Sequence, residues 1–332
     1  MDLLTVENLS VEYVTPGEPI NRAVNKLSFS VPPGRVVGLV GESGGGKSTA
    51  VLAVLGLTRR RGRIVSGKVS LEGRELLTLS PHEWQEVRGR QIALVTQNPR
   101  GSLNPVARVG KQIVAVYRAH TNATEQQARA RALELLKLVG INDPTRRFDA
   151  FPDQLSGGMA QRIVIAMALA CSPKILIADE PTSGLDVTVR AQILDDLVRS
   201  VRTVGSGLVI ISRDLSIVAN YCDDVYMIHA GEVVERASVE RFFAQPHHPA
   251  TVALLAAELR VGGDDFKLRG LAVDARQLPA GCWLSPRCPF ASEAAGCFRV
   301  HPSIERINGL HAARCFRTQV VSEAWARWSS LR

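Results

Sequence analysis

The segment Gly41-Glu42-Ser43-Gly44-Gly45-Gly46-Lys47-Ser48-Thr49 constrains this chain more than any other. It spells G-x-x-x-x-G-K-[ST], a pattern whose glycines let the backbone curl until successive N–H groups point inward and cradle phosphate oxygens. Such a loop needs a buried strand before it and a helix after it. The apolar run Arg35-Val-Val-Gly-Leu-Val supplies the first and Thr49-Ala-Val-Leu-Ala-Val-Leu the second. A helix starting near Lys47 aims the positive end of its dipole at the same phosphates. Lys47 brings a mobile charge for the β and γ oxygens, and Ser48 a hydroxyl for Mg²⁺. The expected ligand is ATP with Mg²⁺.

A second segment fits that chemistry. Lys174-Ile-Leu-Ile-Ala-Asp179-Glu180 reads as a buried strand ending in two carboxylates, and ligands of open α/β sheets gather at that end of their strands. Asp179 suits Mg²⁺ held through water. Glu180 suits orienting or deprotonating an attacking water. Gly207-Leu-Val-Ile-Ile-Ser reads as a third buried strand, and Val225–Glu235 as a hairpin.

Strands alternating with helices predict an α/β domain with a largely parallel sheet. Residues 2–14 and 26–32 alternate like an antiparallel layer, and 66–95 also reads as strands with glycine turns. Residues 98–165 read as an inserted helical lobe, with Thr124 an N-cap and Gly140 a C-cap. From 246 to 332 the chain turns irregular, so the expected division is an ATPase domain over 1–245 and an extension over 246–332. Charged residues make up 22% and hydrophobic ones 45% of the 332 residues, ordinary globular composition. No run is long and apolar enough to cross a membrane. The acidic, alternating N-terminus is no signal peptide, so a cytoplasmic location is expected. The net charge is +8, with a basic cluster at Arg59, Arg60, Arg61 and Arg63. It reads as a solvated loop or as a contact to anionic lipid.

Leu155-Ser156-Gly157-Gly158-Met159-Ala160-Gln161-Arg162 resembles the signature of ATP-binding cassette (ABC) transporter ATPases. Val95-Thr96-Gln97-Asn98-Pro99 resembles their glutamine loop, and Pro181-Thr-Ser-Gly-Leu-Asp186 the loop after their acidic strand. The resemblance spans about residues 1–240 and implies a P-loop ATPase working as half of a head-to-tail dimer. Ser156, Gly157 and Gly158 would hold the partner's ATP in trans, and Asp186 would lie near that nucleotide. Gln97 would touch Mg²⁺ and relay the nucleotide state to a permease. Tyr13 would stack on adenine.

One position departs from the family. After the third strand stands Ser212-Arg213-Asp214, where a histidine is usual. A guanidinium has no lone pair to accept a hydrogen bond, though it can stabilise phosphate charge. The site holding this chain's own loop is therefore expected to turn over slowly or mainly to bind ATP.

Of six cysteines, Cys282, Cys288, Cys297 and Cys315 crowd together, with His301 and His311 nearby. In a chain without an export signal this reads as a metal site before disulfides. Thiolates suit Zn²⁺ or an iron–sulfur cluster, and the spacing alone leaves both open beside unligated core thiols. Gly281-Cys-Trp-Leu-Ser-Pro-Arg-Cys-Pro-Phe with His311-Ala-Ala-Arg-Cys315, and Asn98–Pro105, resemble oligopeptide/dipeptide-type ABC ATPases. That likeness implies a [4Fe–4S] cluster on the four cysteines. Cys171 and Cys222 read as buried structural residues. Thr318–Arg332 reads as an amphipathic helix or a frayed tail.

The resulting expectation is the ATPase of a bacterial importer for di- or oligopeptides, with nickel chelates or opines as alternative cargo. It would be peripheral on the cytoplasmic face of the inner membrane. Its partners would be a second homologous ATPase, two permease subunits and an extracytoplasmic binding protein, with no nucleic acid. A soluble two-cassette protein is disfavoured by the single cassette and the lack of heptads. A degenerate regulatory cassette stays open because of Arg213.

Overall fold

The computed structural model of the chain describes residues 2–58, 62–259 and 265–330. Arg59, Arg60 and Arg61 of the expected basic cluster lie outside the described residues, and Arg63 pairs with Glu12 at 3.0 Å. The chain passes repeatedly between two compact units. One comprises Met1–Leu4, Val31–Val36 and Leu71–Ile211; the other comprises Thr5–Ser30, Val37–Ser70 and Ser212–Arg332.

In the first unit three parallel strands lie side by side: Ile92–Val95, Ile175–Asp179 in the middle, and Gly207–Ile211. Ile175, Leu176, Ile177, Leu208, Val209 and Ile210 are almost wholly buried, which is why these strands read as continuous apolar runs instead of alternating ones. The helical lobe follows the expected capping chemistry. Thr124 accepts a hydrogen bond from Gln127 N–H and Gln127 returns one to Thr124 N–H, opening the helix Glu125–Leu138. Gly140, at φ +73°, closes it. The stretch 66–95 differs from expectation. It holds the helix Pro81–Val87 between strands, because Ser80 and Glu83 form a capping box and Pro81 takes the first helical position.

One buried ion pair ties the lobe to the helix Val187–Val204. Arg162, on the helix Gly157–Ala168, donates to Asp196 on the helix Val187–Val204 and to the carbonyl of Val139. Asp196 takes a second bond from Arg199 at 2.8 Å.

In the second unit the strand Leu4–Tyr13 lies between Asn21–Val31 and Gly62–Leu71. It runs antiparallel to Asn21–Val31, since Asn8 N–H reaches Ser28 and Lys26 N–H reaches Ser10. The strand Val36–Val40 pairs in parallel with Asp224–His229, and the chain turns back as Glu232–Ser238. Residues expected as a separate extension join this sheet. His311–Ala313 pairs with Glu232–Ser238, and Glu305–Asn308 pairs with His311–Ala313. The final segment is a helix, Thr318–Ser329, with Val321 and Trp325 buried and the Trp325 ring 5.9 Å from that of Phe266. Over Thr318–Ser329 the outcome is an amphipathic helix, and Leu331 and Arg332 lie outside the described residues. No helix among the described residues is long and apolar enough to cross a membrane.

Removing one member of a buried ion pair strands the other without compensation. Asp196→Ala should lower unfolding free energy by about 3–5 kcal/mol, measured by urea denaturation. A loss below 1 kcal/mol would show that Arg162 finds other partners.

Candidate functional site

The phosphate loop is built in the second unit. Gly41 has φ +145°, and a Cβ there would sit 2.1 Å from the Ile228 carbonyl oxygen. Gly46 has φ +97°, and a Cβ would sit 2.3 Å from the Ala23 carbonyl oxygen. Both positions exclude any side chain, so the loop is pressed onto two strands by close backbone approach. Gly231 N–H donates to the Gly45 carbonyl at 3.0 Å, and Asn25 N–H donates to the Gly231 carbonyl at 2.8 Å. Lys47, the first residue of the helix Lys47–Val54, is buried. Its Nζ donates to the carbonyls of Gly41 and Glu42, each at 2.8 Å. Gly45 N–H also donates to the Glu42 carbonyl. Ser43, Gly44 and Ser48 are exposed and Thr49 half-buried. Tyr13 is the last residue of its strand and half-buried.

The acidic strand end is built in the first unit. Asp179 closes the strand, level with Ile211. Glu180 follows in a left-handed conformation at φ +45°, held by its N–H on the Ile211 carbonyl at 3.0 Å. The turn swings its carboxylate to Gln97, whose Nε2 donates to Glu180 Oε2 at 3.0 Å and to Ser183 Oγ at 3.3 Å. Two residues singled out 83 positions apart thus meet, and Ser183 joins them unforeseen. The signature segment opens a helix. Ser156 caps Gly157–Ala168 by accepting from Met159 N–H at 3.2 Å. A Cβ on Gly158 would lie 2.8 Å from a Val189 methyl, so this helix packs tightly on the one that Asp186 caps. Asp186 accepts from Val189 N–H at 2.9 Å. Arg213 is exposed, one residue before Asp214, which caps the helix Leu215–Tyr221.

Cys282, Cys288, Cys297 and Cys315 line one cavity of about 20 Å³ with His248, Leu284 and Phe290. None is in a disulfide. Backbone N–H groups two residues on are aimed at three of the sulfurs: Leu284 at Cys282, Phe290 at Cys288 and Arg317 at Cys315. Burial pushes the Cys288 and Cys315 thiols up to about 12, against those N–H donors, and raises Cys282 as well. Such thiols ionise near neutrality only beside a compensating cation. No group of His, Cys, Asp and Glu among the described residues is arranged to hold a metal ion as it stands. His301 and His311 serve other partners, Glu232 at 3.0 Å and the buried Glu235 at 2.7 Å. Cys222 is buried, whereas Cys171 is only half-buried.

Two residues missed in the sequence sit against the phosphate loop. Arg287 donates to both carboxylate oxygens of Glu42, at 2.7 and 3.2 Å. His229, buried, is hydrogen-bonded to the Trp283 backbone, and burial lowers it to about 4 despite the nearby Glu42. Its position at the end of an apolar strand, just before the Ala230-Gly231 turn, was the available signal.

The family described as "ABC transporter" matches residues 24–183, and that described as "Oligopeptide/dipeptide transporter, C-terminal region" matches residues 234–297. The dipeptide transport ATP-binding protein DppD of Haemophilus influenzae is 42% identical over 318 residues, 95% of each chain. The oligopeptide transport ATP-binding protein AppD of Bacillus subtilis is 38% identical, over 95% of this chain and 96% of its own. Among solved structures, the ATP-binding cassette MJ0796, a post-hydrolysis dimer bound to ADP and phosphate, superposes with TM-score 0.64. It is 26% identical and covers 71% of this chain and 98% of its own.

Buried histidines make the second unit sensitive to acid. Burial lowers His248 to about 3; its Nδ1 accepts from Ala250 N–H at 3.2 Å and it is also bonded to the Arg314 backbone. His229 and His248 stay neutral when folded but take up protons below about 6.5 when unfolded. Their stabilisation is complete above that value and is lost as pH falls toward 4 and 3. Each contributes a slope of about 1.4 kcal/mol per pH unit in that window. Unfolding free energy should therefore fall between pH 6.5 and 5, and less steeply in His248→Asn; an unchanged slope would refute the assignment.

Proposed function

The chain belongs to the ABC transporter ATPases, in their oligopeptide/dipeptide branch, and from that premise we propose that it powers import of di- or oligopeptides by binding Mg²⁺–ATP on Gly41–Thr49. The observation that carries this is a phosphate loop whose Gly41 and Gly46 leave no room for a side chain and whose Lys47 is held by the loop's own carbonyls. Lys47 and the loop N–H groups hold the β and γ oxygens, and Tyr13 takes the adenine. Ser48, Gln97 and Asp179 would hold Mg²⁺, which supplies charge neutralisation at the phosphates. Glu180 orients the attacking water and accepts its proton. Glu180 is presented for this by its left-handed backbone and held by Gln97.

Ser156, Gly157, Gly158 and Asp186 complete the site of a second, homologous ATPase. The pair works beneath two permease subunits, peripheral on the cytoplasmic face of the inner membrane, and receives cargo from an extracytoplasmic binding protein. The relatives named for dipeptide and oligopeptide transport support peptides as cargo. Arg213, where a hydrogen-bond acceptor is usual, slows hydrolysis at this chain's own loop.

The four cysteines carry a [4Fe–4S] cluster in this reading. Ligand number and the N–H donors aimed at sulfur support it. Zn²⁺ on the same four thiolates is the alternative.

In the assembled transporter, Glu180→Gln should retain ATP binding but lower turnover by about 10²-fold or more. Arg213→His should raise turnover at this chain's loop; an unchanged rate would remove Arg213 as the limiting residue. Anaerobically purified protein should contain iron and acid-labile sulfide and absorb visible light. A colourless preparation containing zinc would overturn the cluster.

A further inference from the structure

The C-x5-C segment reaches the phosphate loop through the Arg287 side chain and, by way of His229, the Trp283 backbone. Arg287, the residue before Cys288, is about 9% exposed and its guanidinium is fully engaged. Its Nη1 and Nη2 donate to the Glu42 carboxylate and its Nε donates to the Arg269 carbonyl at 3.2 Å. Arg269 N–H in turn donates to the Arg287 carbonyl at 2.9 Å, so the arginine is fixed at both its backbone and its head. At the other end of the segment, Trp283, the residue after Cys282, bonds through its backbone to His229, which lines a small cavity with Glu42, Ser43, Gly44 and Gly45.

Glu42 is the hub on the loop side. Its carboxylate is gripped by Arg287, while its own carbonyl accepts from Lys47 Nζ at 2.8 Å and from Gly45 N–H at 3.2 Å. Burial opposes ionisation of Glu42, but the Arg287 hydrogen bonds and charge, with His229 and Lys47 behind them, hold its carboxyl below the usual range. A planar fork on a carboxylate fixes orientation as well as distance, which a point charge does not. The peptide that positions the Lys47 ammonium is thus steered by a residue 245 positions away, inside the cysteine motif.

We propose that Arg287 is a positioning residue for nucleotide binding: through Glu42 it holds the phosphate loop and Lys47 in register, so that the arrangement of the Cys282–Cys288 segment sets the affinity for Mg²⁺–ATP. This rests on the reading of Gly41–Thr49 as the ATP site. The coupling is a lever with two named ends. Moving Cys288 moves Arg287, and moving Arg287 releases the Glu42 carbonyl from its place under Lys47. No change in the acidic strand or the signature is required.

The test is the dissociation constant for a fluorescent Mg²⁺–ATP analogue on the full chain, with the thermal midpoint of the nucleotide-free protein measured beside it. Arg287→Ala should weaken binding about tenfold, and Arg287→Lys less, because an ammonium keeps the charge but loses the fork. Glu42→Gln should weaken binding similarly and add little in the Arg287→Ala background, since both remove one interaction. Cys288→Ser should weaken binding while both charged residues are intact. If Arg287→Ala does not fold, Arg287→Lys and Glu42→Gln carry the comparison. Dissociation constants within twofold of the wild type, with a lowered midpoint, would overturn the inference and leave the pair as structural support. A wild-type chain that binds no nucleotide would overturn the ATP-site reading along with it.

Discussion

The Lys47 ammonium, bridging the carbonyls of Gly41 and Glu42, organises the second unit. A buried charge is costly unless hydrogen-bonded, and here the partners are backbone groups of the loop itself. The loop can offer them only if it curls tightly enough to bring both carbonyls to one nitrogen. That curl demands φ values open to glycine at 41 and 46 and a close approach to the carbonyls of Ile228 and Ala23. The strands carrying those carbonyls are in turn fixed by Asn25 and Gly231. One cation therefore dictates where the sheet, the first hairpin and the Ala230-Gly231 turn must lie.

The first unit solves a different problem with the same economy of backbone. The Glu180 carboxylate must leave an apolar strand and face polar chemistry within one residue. A left-handed step does this, at a strain cost of about 1–3 kcal/mol, and the Ile211 carbonyl stabilises it. Gln97 and Ser183 then fix the direction of the side chain.

How far the sequence speaks depends on how local each feature is. The loop at Gly41–Thr49, the caps at Thr124 and Ser156 and the three buried strands are contiguous patterns, and each forms where its pattern predicts. The helix Pro81–Val87 is equally local, marked by Ser80, Pro81 and Glu83, but the strand alternation around it masks that signal. Strands Glu305–Asn308 and His311–Ala313 are too short to show a period, and they exist because Glu232–Ser238 offers an edge. The bond from Arg287 to Glu42 joins residues 245 apart, and no spacing rule reaches that far. Cysteines 282, 288, 297 and 315 were recognisable as a group, but the N–H donors that surround them belong to loop geometry.

The backbone bonds from Asn25 through Gly231 to Gly45 have a consequence for how the chain is made. Synthesis proceeds from the N-terminus, so the ribosome releases the glycine loop long before the turn that shapes it. For nearly two hundred residues of elongation, at roughly 5–20 residues per second, Gly41–Thr49 has the Ala23 carbonyl but neither the Ile228 carbonyl nor the Gly231 turn to press against. Its final partner, Arg287, emerges later still. Loop closure over such separations slows folding, and the phosphate cradle of the nascent chain is among the last parts to mature. A half-made chain thus has no formed cradle with which to compete for nucleotide.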